Sequence, residues 1–296
     1  ADAGLSLAAR DLERDVRLAW NALSQAVERA RVLRALDSLT NELGRVAELR
    51  HATGEAPLVE KASALARRQQ AAVQREQAER EVAIAQLELK RLLRTDRDLL
   101  PAEPHPVQAS LPEGILASHP LLDRAECEVL LARRLKQVEG HRVLPDLHGR
   151  WFDQRIYGVP DEFRGYSLTI GLPIAFWDQR GRIRGASIQE RIAREQADQQ
   201  RADLNAAYSA AVERARQARE AWLAYEGMLL EQADVIERGA ATAYRAGDIG
   251  YVELTALIAQ STDLRLGRIQ SRAAYADALI QLDHFTGTLF PFTAMP

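Results

Sequence analysis

Asp146 and His148 are the pair of residues in this sequence whose types and spacing come nearest to a metal site. A carboxylate and an imidazole two positions apart on a strand share one face, and zinc accepts both as ligands. Two ligands do not make a site, and no other candidate ligand follows at a suitable spacing. We therefore expect no metal site and no cofactor. The remaining histidines are scattered: His51, His105, His119, His141 and His284.

The sequence also lacks the motifs on which catalysis depends. It has no glycine-rich phosphate loop, no nucleophile elbow and no paired metal-ligand motif. The single cysteine, Cys127, has no partner for an internal disulfide, and we interpret it as a small buried residue. We expect a protein that is not an enzyme.

Composition and charge exclude further classes of protein. The chain has 296 residues, of which 47% are hydrophobic and 27% charged, with a net charge of -3. This balance is unlike a disordered tail and lacks the basic field of a nucleic-acid binder, so no nucleic-acid partner is expected. No run of about eighteen apolar residues occurs, which excludes a transmembrane helix; a barrel strand leaves no such signature.

The segment Tyr166–Trp177 places large apolar residues at every second position, which predicts a β-strand with one apolar face. About eleven residues of tilted strand can cross a bilayer core. Leu147–Tyr157 predicts a second strand, and Gly158–Gly165 a turn, so that the two strands form a hairpin. A membrane hairpin and a soluble hairpin packed on helices both fit this pattern. In a membrane the residues facing lipid would be Leu168, Ile170, Leu172 and Ile174.

The rest of the chain predicts long helices in two antiparallel pairs. Apolar residues that alternate in steps of four and three from Leu12 predict a coiled-coil helix over about 3–50. A turn around Gly54 leads to a second helix that ends near Thr95 and carries alanines seven residues apart. The same spacing predicts a rod from about Asp178 to Tyr244 and a return helix from about Tyr251 to His284.

These elements predict the following domain organisation. Residues 1–96 form a first helical hairpin, 97–112 a proline-rich linker, and 113–145 a further helix. Residues 146–177 form the β-hairpin, 178–286 a second helical hairpin, and 287–296 a C-terminal tail.

An internal repeat relates the two helical hairpins. Gly54–Glu60 matches Gly247–Glu253, and Val27–Arg31 recurs as Val212–Arg216. The second copy has a strand hairpin ahead of its rod, whereas the first copy begins about where the rod itself begins. We therefore expect a further hairpin upstream of Ala1, in a longer form of this protein; the alternative is a degenerate protein that has a single hairpin.

The order of these elements resembles the TolC-type outer-membrane efflux channels, and local motifs agree with the family pattern. They are Ser118–Leu121, Leu144–Leu147, the strand exit Gly171–Gly181, and the turn Tyr244–Leu254. Together they cover nearly the whole chain. Within the exit, Trp177-Asp-Gln-Arg-Gly181 looks most like the CzcC-like branch, which exports heavy-metal cations.

The resemblance implies a mainly α fold, in which long antiparallel coiled-coil helices form the protomer of an α-barrel tunnel. It also implies that the β-hairpin contributes to an outer-membrane β-barrel in contact with lipid. The assembly would be a homotrimer in the bacterial outer membrane with a periplasmic extension. Its implied partners are a periplasmic adaptor (membrane fusion) protein and an inner-membrane RND pump, and the channel would export solutes passively.

The resemblance further implies that the turns at the helical tips dock the adaptor. The same residues also suit ordinary helix turns, with glycine for a left-handed cap and an acid before the next helix. Pro57 and Gly250 stand where the family usually has serine or threonine. The implied docking residues are Arg245, Gly247, Asp248, Tyr251, Gly54 and Glu55.

Two other classes of protein fit part of the sequence. A periplasmic adaptor also carries a helical hairpin, but it needs a β-rich, lipoyl-like and barrel domain that this sequence does not predict. A cytoplasmic coiled-coil scaffold accounts for the heptads, but not for the alternating strand or the repeated turn.

Overall fold

The structure is a computed structural model that describes residues 2–101, 111, 119–142, 146–155, 157, 162–171 and 176–287. This part of the chain forms long α-helices, one π-helical turn and a two-stranded sheet. It divides into two compact units, residues 1–4 with 118–205 and residues 5–117 with 206–296. None of the described helices is both long enough and apolar enough to span a membrane.

Helices α1 (Asp2–Ala52) and α2 (Leu58–Leu93) form the first predicted hairpin. The alanines that recur every seven residues in α2, Ala64, Ala71 and Ala78, are buried. Small side chains at such positions let two helices approach closely. Ion pairs such as Arg34–Glu79 at 2.9 Å join the exposed edges of the two helices.

Enlarging a side chain in this alanine seam should destabilise the hairpin. We expect Ala71→Leu to lower the free energy of unfolding by about 1–3 kcal/mol, because the added atoms have no space between the packed helices. Ala66→Leu, at an exposed position of the same helix, is the matched control and should have little effect. Urea unfolding followed by circular dichroism measures the difference, and equal stability of the two variants would contradict close packing at Ala71.

The second helical pair contains a break that the sequence pattern does not predict. Helix α4 (Phe176–Ala224) is followed by a π-helical turn, Tyr225–Leu229, and then by α5 (Leu230–Ala246). Gly227 lies outside helical geometry, with φ -82° and ψ -121°. The expected continuous rod to Tyr244 is therefore wrong, and two helices meet at this turn.

Close contact with the return helix α6 (Tyr251–Thr286) accompanies the break. A Cβ built at Gly267 would lie 2.5 Å from Cε1 of Tyr225, so only glycine accepts the ring in this position. The neighbouring Arg268 donates two hydrogen bonds to Glu226, of 2.8 and 2.9 Å. A few residues away, Trp222 stacks on Tyr275 with 5.5 Å between ring centroids.

The helices α1, α2, α5 and α6 share one hydrophobic core. Most of its side chains are alanine, leucine and tyrosine, which fits helices that pack closely along their length. The core consists of Ala30, Leu33, Leu36, Leu43, Ala47, Ala64, Ala71, Ala78, Ala240, Tyr244, Tyr251, Leu254 and Ile258.

The other unit contains α3 (Pro120–His141), the sheet and the first part of α4. His119 caps α3 by accepting a hydrogen bond of 3.2 Å from the Leu121 amide, and Lys136 pairs with Glu190 of α4 at 2.8 Å. The helix was expected from residue 113; it is seen from Pro120, and residues 112–118 lie outside the described part. Cys127 is exposed, so its interpretation as a buried residue is wrong.

The sheet is an antiparallel hairpin of β1 (Asp146–Arg155) and β2 (Glu162–Gly171). The second strand thus begins earlier than its alternating pattern predicts, and it is described as far as Gly171. Trp177, which was expected to end the strand, lies in α4. Residues 172–175 lie outside the described part, and with them two of the residues expected to face lipid, Leu172 and Ile174.

Candidate functional sites at the helical tips and on the hairpin

The two helical turns have the same backbone geometry, as the sequence repeat requires. Gly54 and Gly247 have φ values of 78° and 86°, in the left-handed region that favours glycine. The residues before the next helices also match, with φ -69° and ψ 158° at Pro57, and φ -81° and ψ 163° at Gly250. The tips of the two hairpins are therefore equivalent structures.

Most of the residues expected to dock a partner are exposed at these tips. Gly54, Glu55, Gly247 and Asp248 are all accessible. Arg245 is also exposed, but it pairs with Glu42 of α1 at 2.5 Å, so part of its role lies within the chain. An exposed pair of this kind contributes little to stability.

Tyr251 does not fit a direct contact with a partner. Its side chain is only 3% exposed, and it packs edge to face on Tyr244 with 5.9 Å between ring centroids. A large aromatic ring at the start of α6 is buried because the core of the four helices extends to the tip. Tyr251 supports the tip from inside.

Each tip also presents a valine that the sequence analysis did not single out as a site. Val59 and Val252 occupy equivalent positions in the repeat, and they are 77% and 79% exposed. An exposed apolar side chain at the same place in both copies makes these two valines further candidates for contact with a partner. The signal was present in the sequence, since both valines lie inside the matched repeat segments.

A polar cluster behind the tips joins the two hairpins. The Tyr244 hydroxyl donates a hydrogen bond of 2.7 Å to Glu60 of α2, and Arg50 of α1 lies 5.1 Å from the centre of the Tyr244 ring. Arg50 also approaches Glu60 at 3.6 Å. Burial raises the pKa of Tyr244 to about 12, and the nearby Glu60 carboxylate adds to the rise. Tyr244 is thus a neutral donor at physiological pH.

The raised pKa of Tyr244 predicts a loss of stability at alkaline pH. The folded protein holds the phenol proton more tightly than the unfolded chain, so this stabilisation is complete below pH 10 and is lost between pH 10 and 12. Tyr244→Phe should cost about 1 kcal/mol at neutral pH and make the alkaline decline shallower. Urea unfolding of both proteins across pH 8–12 tests this; parallel curves would contradict it.

The hairpin has one apolar face and one mainly polar face, although Phe152 lies on the latter and is exposed. Paired positions on the apolar face are Leu147 with Ile170 and Trp151 with Tyr166, and Leu168 lies between them opposite Gly149. All these large side chains are exposed within their unit. Beyond Trp151 the same face carries the ion pair Asp153–Arg164 at 3.3 Å, which ends the apolar band.

The opposite face of the hairpin carries Asp146, His148 and Arg150 on β1, and Ser167 and Thr169 on β2. All five are exposed. Asp146 and His148 do share this face, as the sequence predicts. Among the described residues, however, no group of three or more metal-ligating side chains comes together.

No protein-family model matches the sequence. No curated protein sequence matches it. Solved structures are similar in fold over nearly the whole chain. The outer-membrane channel OprN matches with a TM-score of 0.87 at 18% identity, over 98% of this chain and 68% of OprN. The outer membrane protein VceC from Vibrio cholerae matches with a TM-score of 0.85 at 16% identity, over 98% of this chain and 72% of VceC. CusC matches with a TM-score of 0.87 at 14% identity, over 96% of this chain and 70% of CusC.

The chain has the fold of an outer-membrane channel protomer. The predicted coiled-coil helices with an attached hairpin are thereby confirmed. The similarity does not single out a heavy-metal branch. At this level of identity the likeness describes the fold and leaves function to be argued from the sites.

Proposed function

We propose that this protein is the outer-membrane channel subunit of a tripartite efflux system. The observation that carries the proposal is the fold: long helices and a strand hairpin that match outer-membrane channel proteins over 96–98% of the chain. The apolar face of the hairpin supports contact with lipid, because five large apolar side chains are exposed on it. The channel would be a homotrimer that exports solutes passively and has no catalytic role.

The helical tips are the surface on which we place the partner. Their exposed residues combine an acid and a valine at equivalent positions of both repeats, Glu55 with Val59 and Asp248 with Val252. A periplasmic adaptor whose own surface is apolar at its centre and basic around that centre would complement them. The adaptor would in turn connect the channel to an RND pump in the inner membrane.

Heavy-metal cations are the cargo that we propose. This part of the proposal rests on one segment of the sequence, whereas the channel role rests on the whole fold. That segment is Trp177-Asp-Gln-Arg-Gly181, which resembles the CzcC-like branch. A passive channel needs no binding site for its cargo, so the lack of a metal-ligand cluster among the described residues neither helps nor hinders this choice.

The proposal is preferred over an adaptor or a scaffold on structural grounds. An adaptor needs a β-rich domain, and the described residues contain a single two-stranded sheet. A cytoplasmic scaffold gives no reason for a strand hairpin with an exposed apolar face.

Complementation tests the proposal in cells. The full-length gene is expressed with its adaptor and pump in a Gram-negative host that lacks its own outer-membrane efflux channel. We expect restored resistance to the exported solute, with zinc, cobalt and cadmium salts tested beside organic antibiotics. Protein that reaches the outer membrane in normal amounts without restoring export of any of these would contradict the channel role. Export of antibiotics alone would retain the channel and reject the metal cargo.

A further inference from the structure

A cavity of about 330 Å³ lies between α1, α6 and the beginning of α5, next to the π-helical turn. Its charged lining is dominated by arginine. Arg265, Arg268 and Arg272 project from one face of α6, and Arg31 projects from α1. Among the described residues, Glu28 supplies the only carboxylate in the lining. The apolar remainder consists of Val32, Leu230 and Ile269.

Two of these arginines are held in place by carboxylates that do not line the cavity. Arg265 contacts Asp234 at 2.8 Å and Glu237 at 2.7 Å. Arg268 is held by its two hydrogen bonds to Glu226, and they keep the pKa of Glu226 below its usual value. Asp234, Glu237 and Glu226 are not among the residues that line the cavity. The cavity is therefore lined by these arginines and not by their carboxylate partners.

The remaining two arginines differ in their surroundings. Arg272 pairs with Glu28 at 2.5 Å, and both side chains are largely buried. Arg31 is exposed, and no ion pair within the described part of the chain involves it. Each guanidinium has five N–H donors, and the contacts to carboxylates use only some of them.

We propose that this cavity binds a small tetrahedral oxyanion, of which inorganic phosphate is the simplest. Four arginines and four carboxylates balance in total charge, so selection comes from short-range donors on the cavity wall and not from a long-range field. Arginine suits this task because its planar group donates pairs of hydrogen bonds to such oxygens. The π-helical turn beside the cavity agrees with a binding site, since such turns occur frequently at functional positions.

The position of the cavity in the fold indicates that a bound anion stabilises the contact between α1 and α6. The anion would bridge α1 and α6 at the level where Gly227 interrupts the helical rod. A bound anion stabilises the state that binds it in proportion to its concentration over its dissociation constant. Phosphate should therefore raise the thermal midpoint of the purified protein, at constant ionic strength, relative to chloride. This inference does not depend on the channel function.

The test is calorimetric titration of the purified full-length protein with inorganic phosphate, at an ionic strength held constant with sodium chloride. Arg31→Gln should weaken binding about tenfold, because it removes a charged donor whose loss breaks no ion pair in the described structure. Arg29→Gln is the matched control on the same helix: Arg29 is also exposed, pairs with Glu81 and does not line the cavity, so phosphate binding should not change.

Glu28→Gln should change the affinity for phosphate in the opposite direction. It removes the one carboxylate from the lining and frees Arg272, so phosphate should bind severalfold more tightly. A cluster that serves packing alone would show no such opposed effects. The proposal is overturned if the parent protein shows no phosphate heat and no phosphate-dependent shift of its thermal midpoint. Equal affinity of the parent protein and the Arg31→Gln variant for phosphate would also overturn it, whatever affinity the Glu28→Gln variant shows.

Discussion

Leu168→Arg should prevent the protein from entering the outer membrane. Leu168 is 71% exposed and lies at the centre of the apolar face, between the Trp151–Tyr166 pair and the Leu147–Ile170 pair. Arginine on the lipid face of a barrel strand costs about 2–4 kcal/mol near the bilayer midplane. Every protomer of a homo-oligomer would carry this cost, so the effect on assembly should be large.

The neighbouring residue of the same strand supplies the control. Thr169 points to the polar face, opposite His148, and is also exposed. Thr169→Arg adds the same side chain on the face away from lipid and should be tolerated. Membrane fractionation and resistance of the assembled protein to heat in detergent measure both variants. If the Leu168→Arg and Thr169→Arg proteins insert into the outer membrane equally well, the hairpin does not contact lipid through its apolar face.

Val59→Asp combined with Val252→Asp should abolish adaptor binding while leaving the fold intact. Both valines are more than three-quarters exposed, so the substitutions create no cavity and bury no charge in the free protein. In a complex they would bury unpaired carboxylates at the centre of the contact. A loss of at least about 3 kcal/mol, or roughly a hundredfold in affinity, is expected.

The control for the tip is Val235→Asp. Val235 is 65% exposed on α5, more than two helical turns from the Gly247 turn, so the same change is made on the same hairpin away from the tip. Adaptor capture by the purified variants and their thermal midpoints are measured together. Normal capture by a well-folded Val59→Asp, Val252→Asp protein would show that the tips only turn the chain, and the docking surface would have to lie elsewhere.

Regular periodicity explains which parts of this fold could be predicted. The alanine and leucine spacing of α1 and α2 specifies two long helices, and the repeated glycine turn specifies where hairpins end. The alternating strand predicts which side chains share a face, and Leu168 and Ile170 do share the face of Leu147 and Trp151. These features are set by residues close together in the sequence, so the spacing of residue types is enough to predict them.

Features that depend on distant contacts could not be predicted in the same way. The break at Gly227 accompanies the packing of Tyr225 on Gly267, residues that lie on different helices. Tyr251 was expected to dock the adaptor because the resemblance implies a contact at this turn, but Tyr244 and the core of four helices bury it. The hydrogen bond from Tyr244 to Glu60 likewise joins residues of different hairpins, and no local pattern predicts that these two residues meet.

Conductance in planar lipid bilayers tests the central claim most directly. Purified full-length protein is added to one side of a bilayer, and current is recorded at constant voltage with Leu168→Arg protein as the control. If the chain is a channel subunit, the parent protein should produce discrete and lasting current steps, and the Leu168→Arg protein should produce none. Parent protein that co-sediments with lipid vesicles but never produces a current step would contradict the channel.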